Sequence, residues 1–262
     1  MSEASPFAVR DRVVIVTGGA GQLGRAFTAA LEGAGARVAV IDRVAVAEVD
    51  SVLSVACDVT DRGALEDALS SIAKRWETPY GLVNAAAIDS PPNAPPEENG
   101  PFETYPESSF DRIMSVNVKG TLLCCQVFGG AMAARGKGSI VNIASIYGMV
   151  SPDQSLYQYR RDRGEVFYKP VAYSASKSAL YNLTRYLAAY WGGKGVRVNT
   201  LTLGGVYNNQ DPAFLVRYNS KVPLGRMADV SEYNGVVQFL LSDAASYVTG
   251  SNIVADGGFT AL

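Results

Sequence analysis

Short apolar runs recur along the whole chain, and they are the first feature of the sequence that predicts structure. They occupy residues 13–16, 37–41, 52–56, 82–85, 139–143, 196–201 and 252–254. Most are continuous runs rather than the polar–apolar alternation of a strand with one exposed face. Continuous apolar strands are typical of parallel sheets that are buried on both faces. The runs therefore predict a parallel sheet of about seven strands.

Helical periodicity fills the intervals between these runs. Apolar residues recur with helical spacing at residues 26–31, 65–76, 110–134, 175–191 and 231–241. Alternating strands and helices predict an α/β fold, in which a doubly wound Rossmann sheet carries helices on both faces. The sequence has no internal repeat and no obvious linker, so we expect a single domain over residues 1–262.

Two segments interrupt the alternation of strands and helices. Residues 90–106 are rich in Pro, Glu and Asn and are predicted to form a long loop. Residues 151–169 are rich in Tyr and Arg and show no clear period. Long loops in a compact domain often cover or line a binding site. We therefore expect residues 151–169 to be an insertion near the active site.

Charge and hydropathy narrow the class of protein. The chain has 23 Lys and Arg against 25 Asp and Glu, a net charge of -2, which gives no electrostatic footprint for nucleic acid. No apolar run is long enough for a membrane span. The first residues lack the apolar core of a signal peptide. The sequence thus predicts a cytoplasmic protein with a small-molecule partner and neither a nucleic-acid nor a membrane partner.

The absence of histidine excludes several chemistries. Ser-His-Asp hydrolysis, Cys-His proteolysis and histidine metal sites all require the missing side chain. The three cysteines, Cys57, Cys124 and Cys125, do not suggest a disulfide framework, and packing is the favoured interpretation. No metal site is predicted. Acid–base chemistry near neutral pH must use another group with a perturbed pKa.

A glycine-rich turn follows the first predicted strand. Residues 17–24 read TGGAGQLG and lead into a helical pattern. Glycines at this turn let the backbone approach a pyrophosphate, while the amides and dipole of the helix N-terminus bind negative charge. A turn that only permits tight packing is the structural alternative. The predicted phosphate-binding residues are Gly18, Gly21, Gln22, Leu23 and Gly24.

An acidic residue ends the second predicted strand. Asp42 can accept hydrogen bonds from the adenosine ribose hydroxyls, and its charge would repel the 2′-phosphate of NADP. Arg43 follows directly and partly offsets that repulsion. The pattern predicts NAD as the cofactor, with NADP second.

Tyr173 and Lys177 stand four residues apart at the start of a predicted helix, so they share one helix face. A lysine ammonium beside a phenol stabilises the phenoxide and lowers the tyrosine pKa from its ordinary value of about 10. The pair is therefore a candidate acid–base group that needs no histidine. An exposed helix pair without function is the alternative, because this spacing is common.

Two further polar residues support a catalytic interpretation. Ser145 ends the fifth predicted strand, and ligands bind at the carboxyl ends of such strands, where its hydroxyl can bond a substrate carbonyl. Asn117 lies in the apolar stripe of a helix, where an amide is costly unless it is hydrogen-bonded. Asn117 can stabilise broken backbone bonds, hold a water for a proton relay, or do both.

Together these residues resemble the classical short-chain dehydrogenase/reductase family over nearly the whole chain. The matching positions are residues 17–24, Asp58, Val59, Asn84, Ala85, Ala86, Ala87, Asn117, Ser145, Tyr173, Lys177 and residues 250–258. The resemblance implies that Tyr173 is the general acid/base, that Lys177 also binds the nicotinamide ribose, and that Ser145 polarises the carbonyl. It further implies a proton relay through Asn117 and a homo-oligomer, either tetramer or dimer. Implied cofactor contacts come from Asp58, Val59, Asn84, Ala85, Ala86, Tyr173 and Lys177.

Four features of the sequence depart from the family pattern. Gln22 replaces the middle glycine of the turn, and residues 84–87 read NAAA instead of the usual Asn-Asn-Ala-Gly. The loop after the sixth strand lacks the usual Pro-Gly start, so Asn208 is expected to replace the threonine that holds the nicotinamide carboxamide. Gly204 and Val206 are the other predicted contacts in this loop. Finally, Ser145 and Tyr173 stand 28 positions apart, about twice the usual separation.

The extra residues between Ser145 and Tyr173 suggest a substrate class. Arginine forks suit phosphate or carboxylate, and tyrosine suits sugar faces or bases. The predicted substrate residues are Tyr147, Tyr157, Arg160, Arg161 and Arg163. A solvated loop or a subunit contact is the alternative for each arginine.

The sequence also resembles a family branch found in bacterial surface-sugar biosynthesis of the legionaminic-acid type, at residues 145–148 (SIYG), 203–212 (LGGVYNNQDP) and 223–227 (PLGRM). This resemblance implies a sugar, sugar phosphate or nucleotide sugar as substrate. Polyol or gluconate dehydrogenation is the first enzymatic alternative, and 3-oxoacyl reduction is the next. A dinucleotide-binding sensor or scaffold without catalysis is the alternative from another class.

Overall fold

The seven predicted strands form one parallel sheet. The structure is a computed structural model that describes residues 5–89 and 95–262. The strands are β1 (Val13–Thr17), β2 (Arg37–Asp42), β3 (Val52–Ala56), β4 (Gly81–Asn84), β5 (Gly138–Ser145), β6 (Val196–Leu203) and β7 (Asn252–Ala255). They pair in the order β3-β2-β1-β4-β5-β6-β7. Every predicted strand is confirmed, with bounds within two residues, and the order is that of a Rossmann-like sheet.

The described residues form nine α-helices around the sheet. They are α1 (Gln22–Gly33), α2 (Arg62–Arg75), α3 (Glu107–Met114), α4 (Thr121–Cys124), α5 (Gly130–Arg135), α6 (Gln158–Asp162), α7 (Val171–Trp191), α8 (Pro212–Asn219) and α9 (Asn234–Leu241). Two π-helical segments, Ser115–Gly120 and Cys125–Gly129, join α3, α4 and α5 into one continuous helix. The five predicted helices are confirmed, whereas α6 and α8 were not predicted.

The core has two layers, one on each face of the sheet. Val13 and Ile15 of β1 pack with α2 and the long α3–α5 helix, while Val14 and Val16 pack with α1 and α9. This division follows from strand geometry, because successive side chains point to opposite faces. All four residues are fully buried, as the continuous apolar runs predicted.

A third apolar cluster covers the carboxyl end of β5 and β6. It consists of Ile146, Tyr147, Leu156, Tyr157, Phe167, Tyr218, Val222 and Met227. Residues 151–169, called the insertion below, supply three of these side chains and fold into the 3-10 turn Gln154–Tyr157 followed by α6. Tyr157 packs on Phe167 and on Phe214 of α8, with ring centroids 5.0 Å and 5.5 Å apart. The insertion therefore forms an aromatic layer with α8 above the strand ends.

Two ion pairs fasten the insertion to the region of α8. Arg163 bonds Asp211 at 2.7 Å, and Lys221 bonds Asp153 at 2.7 Å. Asp211 is also the N-cap of α8, since its carboxylate accepts a bond from the amide of Ala213. The contacts explain how a segment without clear periodicity is held in one place.

The remaining sequence predictions concern a loop, the cysteines and membranes. In the loop predicted over residues 90–106, residues 90–94 lie outside the described residues, and the rest contains the 3-10 turns Pro96–Asn99 and Phe102–Thr104. All three cysteines are buried and unpaired, which confirms packing, and burial raises the pKa of the Cys57 thiol to about 11. Over residues 5–89 and 95–262, every helix is too short or too polar to cross a membrane.

Candidate active site

The glycine turn between β1 and α1 has the geometry of a phosphate cradle. Gly18 has a φ of 67°, and a Cβ there would lie 2.7 Å from the Cα of Ala86. A Cβ at Gly24 would meet the Gly18 carbonyl and lie 2.5 Å from the Gly19 Cα. Only glycine fits either position. Gly21 is the N-cap of α1 and provides no side-chain cap, so the first amides of the helix point toward the turn opening.

Gln22, the main departure from the family turn, bridges to another loop. Its amide nitrogen donates to the carbonyl of Tyr207 at 2.9 Å, beyond the end of β6. The neighbouring Leu23 packs against the core layer that contains α1 and α9. The replacement of the usual glycine thus adds a contact between the turn and the loop after β6.

Two acidic residues flank the adenosine end of the predicted site. The Asp42 carboxylate accepts from the amides of Ala20 at 3.0 Å and Val44 at 3.1 Å, which fixes it beside the glycine turn. The Asp58 carboxylate accepts from the amide and hydroxyl of Thr60, and these bonds, with the nearby charge of Arg43, hold the pKa of Asp58 below its ordinary value.

The segment after β4 supports the sheet and also borders the predicted cofactor cleft, which lies at the carboxyl ends of the strands. The Thr17 hydroxyl accepts from the amides of Ala85 and Ala86, which ties this segment to β1. The Asn84 side chain instead points into the core, where it donates to Asn142 at 2.8 Å. Val59 is also buried, against Gly120. For Asn84 and Val59 the structure therefore gives packing contacts rather than contacts at the open edge of the cleft.

The loop after β6 closes the other side of the cleft. Gly204 bonds the carbonyl of Ala255, and Val206 pairs with Ala228 in a short β-bridge. Asn208 is exposed, and its amide donates to Gln210. The fixed turn, the helix amides and the carboxylate of Asp42 together fit a dinucleotide, with the pyrophosphate at the N-terminus of α1 and the ribose beside Asp42.

Tyr173 and Lys177 lie together at the start of α7, as predicted. The Lys177 ammonium donates to the carbonyl of Ile143 at 2.8 Å and lies 5.7 Å from the centroid of the Tyr173 ring. Because Lys177 is buried, its pKa falls to about 8. The charge of this lysine is therefore sensitive to changes near neutral and mildly alkaline pH.

The direction of the Tyr173 pKa shift corrects the sequence prediction. Burial raises the pKa of Tyr173 above its ordinary value, and the negative charge of Asp89 adds to the rise. A hydrogen bond with the Ser145 hydroxyl acts in the opposite direction. Where the sequence predicted a lowering by Lys177, desolvation of the phenol gives a net rise, so the phenol is protonated at neutral pH.

Ser145 is held at the end of β5 by a residue that sequence reasoning missed. The hydroxyl of Tyr181, two turns after Tyr173 on α7, donates to the Ser145 carbonyl at 3.0 Å and also bonds Thr202. The Ser145 hydroxyl accepts from the amide of Tyr147 at 3.2 Å. The helical spacing of Tyr173, Lys177 and Tyr181 was the signal that could have identified this support.

Asn117 lies in the π-helical segment Ser115–Gly120 and is buried. Its amide accepts from the amide of Ile88 at 2.8 Å and donates to the carbonyl of the same residue at 2.9 Å. It also donates to the hydroxyl of Ser176. The structural role expected for Asn117 is confirmed, because the side chain binds both backbone groups of one residue. A proton relay stays a prediction.

An ion pair beside Tyr173 was not singled out by the sequence. Lys169, the last residue of the insertion, bonds the Asp89 carboxylate, and its ammonium lies 5.2 Å from the Tyr173 ring centroid. Lys169 also lines a cavity of about 660 Å³ together with Tyr105, Tyr147 and Tyr168. The pairing joins residues 80 positions apart, which no local pattern reveals.

The insertion arginines all have partners within the chain. Arg160 bonds Glu165 and stacks on Phe167, and Arg163 bonds Asp211. Arg161 donates to the carbonyls of Phe167 and Gln154, at 2.8 Å and 2.7 Å. Of the predicted substrate residues, Tyr147 lines the cavity, whereas Tyr157 packs in the aromatic layer.

Comparisons with known proteins identify the family of the chain. A family model described as enoyl-(acyl carrier protein) reductase matches residues 18–260. The chain is 32% identical to D-threitol dehydrogenase of Mycolicibacterium smegmatis, covering 97% of this chain and 95% of that protein. It is 33% identical to galactitol 2-dehydrogenase (L-tagatose-forming) of Cereibacter sphaeroides, covering 99% of both.

A solved structure is similar over the whole fold. It is a short-chain dehydrogenase from Leptospira borgpetersenii with bound NAD+, at a TM-score of 0.87 and 31% identity, covering 99% of this chain and 97% of that one. The protein therefore belongs to the short-chain dehydrogenase/reductase family. It is an oxidoreductase that interconverts an alcohol and a carbonyl group.

Proposed function

We propose that the protein oxidises a secondary hydroxyl of a neutral polyol or sugar alcohol to a ketone, with NAD as hydride acceptor. The observation that carries the choice of substrate is the charge pattern beside Tyr173. Among the described residues beside Tyr173, Lys169 and Asp89 are paired with each other. The other cation, Lys177, is buried and donates to the Ile143 carbonyl. A site whose exposed charges are paired favours a neutral, hydroxyl-rich molecule over a phosphate. The named activities of the two polyol relatives support the same choice.

The side chains around Tyr173 have distinct roles in this proposal. Tyr173 accepts the proton of the substrate hydroxyl during oxidation and returns a proton during reduction. Ser145, whose carbonyl accepts a hydrogen bond from the Tyr181 hydroxyl, orients the same hydroxyl. Lys177 places a positive charge near the phenol ring. When bound, NAD supplies the hydride acceptor.

We propose NAD over NADP because of Asp42. Two backbone amides fix its carboxylate beside the turn, where a 2′-phosphate would meet its negative charge. We expect the protein to bind NAD at least about tenfold more tightly than NADP, a difference of about 1.4 kcal/mol. In Asp42→Ala this ratio should shrink, and in the matched Arg43→Met it should not. Calorimetric titration with NAD and with NADP measures the ratio, and equal binding by the wild type would contradict the assignment.

The surface-sugar hypothesis loses one of its two supports. It rested on a resemblance of local motifs and on insertion arginines that would bind a phosphate or carboxylate. Arg160 and Arg163 are instead paired with acids, and Arg161 binds backbone carbonyls. We therefore place sugar phosphates and nucleotide sugars behind neutral polyols.

A substrate panel tests the proposed function. NADH formation should be fastest with D-threitol, galactitol or related polyols and at least about tenfold slower with sugar phosphates and gluconate. NADH consumption with a 3-oxoacyl thioester should be comparably slow. Preference for a phosphorylated sugar would restore the surface-sugar hypothesis. NAD binding without turnover of any member of the panel would favour the sensor or scaffold alternative.

We also propose a homo-oligomer. Tyr186 and Tyr190 stack on each other on the outer face of α7 at 6.0 Å, and their exposed fractions are 64% and 58%. An exposed aromatic pair on a long helix is typical of a contact surface. Sedimentation of the wild type and Tyr190→Ser would test this, with a lower association state expected for the variant and a monomeric wild type contradicting the proposal.

A further inference from the structure

The backbone of Lys169 is held in place independently of its side chain. The Gln154 side chain accepts from the Lys169 amide at 2.9 Å and donates to the Lys169 carbonyl at 3.0 Å. Pro170, the next residue, is the N-cap of α7, and Tyr173 follows in the first turn of that helix. The end of the insertion is therefore fixed relative to the catalytic tyrosine.

Asp89 is positioned by equally short connections. The residue before it, Ile88, has both its backbone amide and its carbonyl bonded to the side chain of Asn117. Asn117 in turn bonds Ser176, which lies on α7 three residues after Tyr173. One buried amide thus fixes the chain that carries Asp89 relative to the catalytic helix.

The paired charges of Asp89 and Lys169 lie close to the proposed catalytic residues. The Lys169 ammonium is 5.2 Å from the Tyr173 ring centroid. The Asp89 charge raises the pKa values of Tyr173, Tyr147 and Tyr105. The Lys169 side chain is 10% exposed and the Asp89 side chain 43%, so the carboxylate end of the pair is reachable from solvent.

We propose that Asp89 and Lys169 are the specificity-determining pair of the substrate site and bind the hydroxyl next to the carbon that is oxidised. A carboxylate accepts hydrogen bonds and an ammonium donates them, and each can make several at once. A hydroxyl can therefore donate to Asp89 and accept from Lys169 while the two residues stay paired. This assignment rests on the proposed function and narrows it to alcohols with a vicinal hydroxyl.

Selectivity among substrates distinguishes a substrate-binding role of the Asp89–Lys169 pair from a purely structural role. An ion pair whose only role is to hold the insertion should affect all substrates alike, because every substrate needs the insertion in place. A pair that binds the neighbouring hydroxyl should affect only substrates that carry one. The insertion offers a suitable comparison in Lys221 and Asp153, an ion pair of 2.7 Å at its outer face.

The test compares two alcohols that share a carbon chain, sec-butanol and butane-2,3-diol. Both are measured with the variants Lys169→Met and Asp89→Asn. We expect KM for the diol to rise at least about tenfold, which corresponds to about 1.4 kcal/mol. The KM for sec-butanol should change less than the KM for the diol, so that the ratio of the two KM values rises at least about tenfold in each variant. Both alcohols are compared at the pH optimum of each variant, because Asp89 also acts on the pKa of Tyr173. Lys221→Met is the matched control and should show no selective change. Thermal unfolding and NAD affinity verify that each variant is folded.

The outcomes separate this inference from the proposed function. If the wild type prefers the diol and both variants lose that preference, the assignment is supported. If the wild type oxidises the alcohols but the variants lose both equally, or lose neither, the assignment is wrong and the proposed function stands. If the wild type oxidises neither the alcohols nor the larger polyols, the proposed function is wrong, and the assignment with it.

Discussion

The cofactor side and the substrate side of this site are built in different ways. On the cofactor side, from β1 to β4, most of the proposed binding groups are backbone amides whose positions follow from glycine spacing and strand ends. On the substrate side, the contacts join side chains that are far apart in sequence, such as Arg163 with Asp211 and Lys169 with Asp89. Local sequence determines the first kind of contact, whereas tertiary packing determines the second.

The comparison predicts that the cofactor side tolerates no added atom at its tightest point. In Gly24→Ala the new Cβ would meet the backbone of Gly18 and Gly19, whereas in Gly21→Ala it would lie 3.2 Å from the Gly18 carbonyl. Overpacking of this kind costs about 1–3 kcal/mol. We expect about tenfold to hundredfold weaker NAD binding for Gly24→Ala and less than about threefold for Gly21→Ala, measured by calorimetry. Equal losses would show that the backbone approach at Gly24 is not the limiting feature.

On the substrate side, alcohol oxidation should rise with pH. Burial raises the pKa of Tyr173 most; Asp89, Tyr147 and Tyr181 raise it further, and Ser145 lowers it. The cations Lys169 and Lys177 lie over its ring. Because the net shift is upward, the phenol is protonated at neutral pH and must lose its proton to act as a base. On the acid side of that pKa, kcat/KM for oxidation should rise by roughly tenfold per pH unit, and ketone reduction should not.

Asp89→Asn sharpens this pH test. Removing the negative charge should lower the pKa of Tyr173, so the rise in oxidation should begin at lower pH than in the wild type. A pH profile that is flat from neutral to alkaline pH, or one that Asp89→Asn moves to higher pH, would contradict the assignment of Tyr173 as the base.

The smallest expected effect concerns the arginines of the insertion. Arg161→Met removes bonds to two backbone carbonyls and should lower the free energy of unfolding by about 1–3 kcal/mol. Arg160→Met removes a partly exposed ion pair and should cost about 0–1 kcal/mol. Denaturant unfolding measures both, and NAD affinity should stay unchanged because the cofactor side is separate. Selective loss of phosphorylated-sugar binding with unchanged stability would instead show that these arginines bind substrate.

Much of the fold could be predicted because its signals are local. Apolar runs gave all seven strands, and glycine spacing identified the turn before α1. Helix α8 was missed although Asp211 and Pro212 form a typical helix start, because its short apolar pattern was weaker than the surrounding loop signals. The same applies to α6, a five-residue helix stabilised by side-chain contacts rather than periodicity.

For the site, the sequence indicated which of the proposed catalytic residues come together, but not the chemistry around them. Tyr173, Lys177 and Ser145 meet as expected at the end of β5. The sign of the Tyr173 pKa shift was wrong, because spacing reports a neighbouring lysine but does not report burial. The partners of Asp89 and of the insertion arginines also could not be predicted, since each depends on how segments pack in space.

The most direct test of the account is Tyr173→Phe, measured for both NAD binding and polyol oxidation. The substitution removes the phenol hydroxyl from the substrate side and leaves the cofactor side intact. We expect kcat to fall by about 10²–10⁴-fold, the usual contribution of a general acid or base, while the Kd for NAD changes by less than about twofold. Retained turnover, or loss of NAD affinity in step with turnover, would contradict the division of the site into two independently built sides.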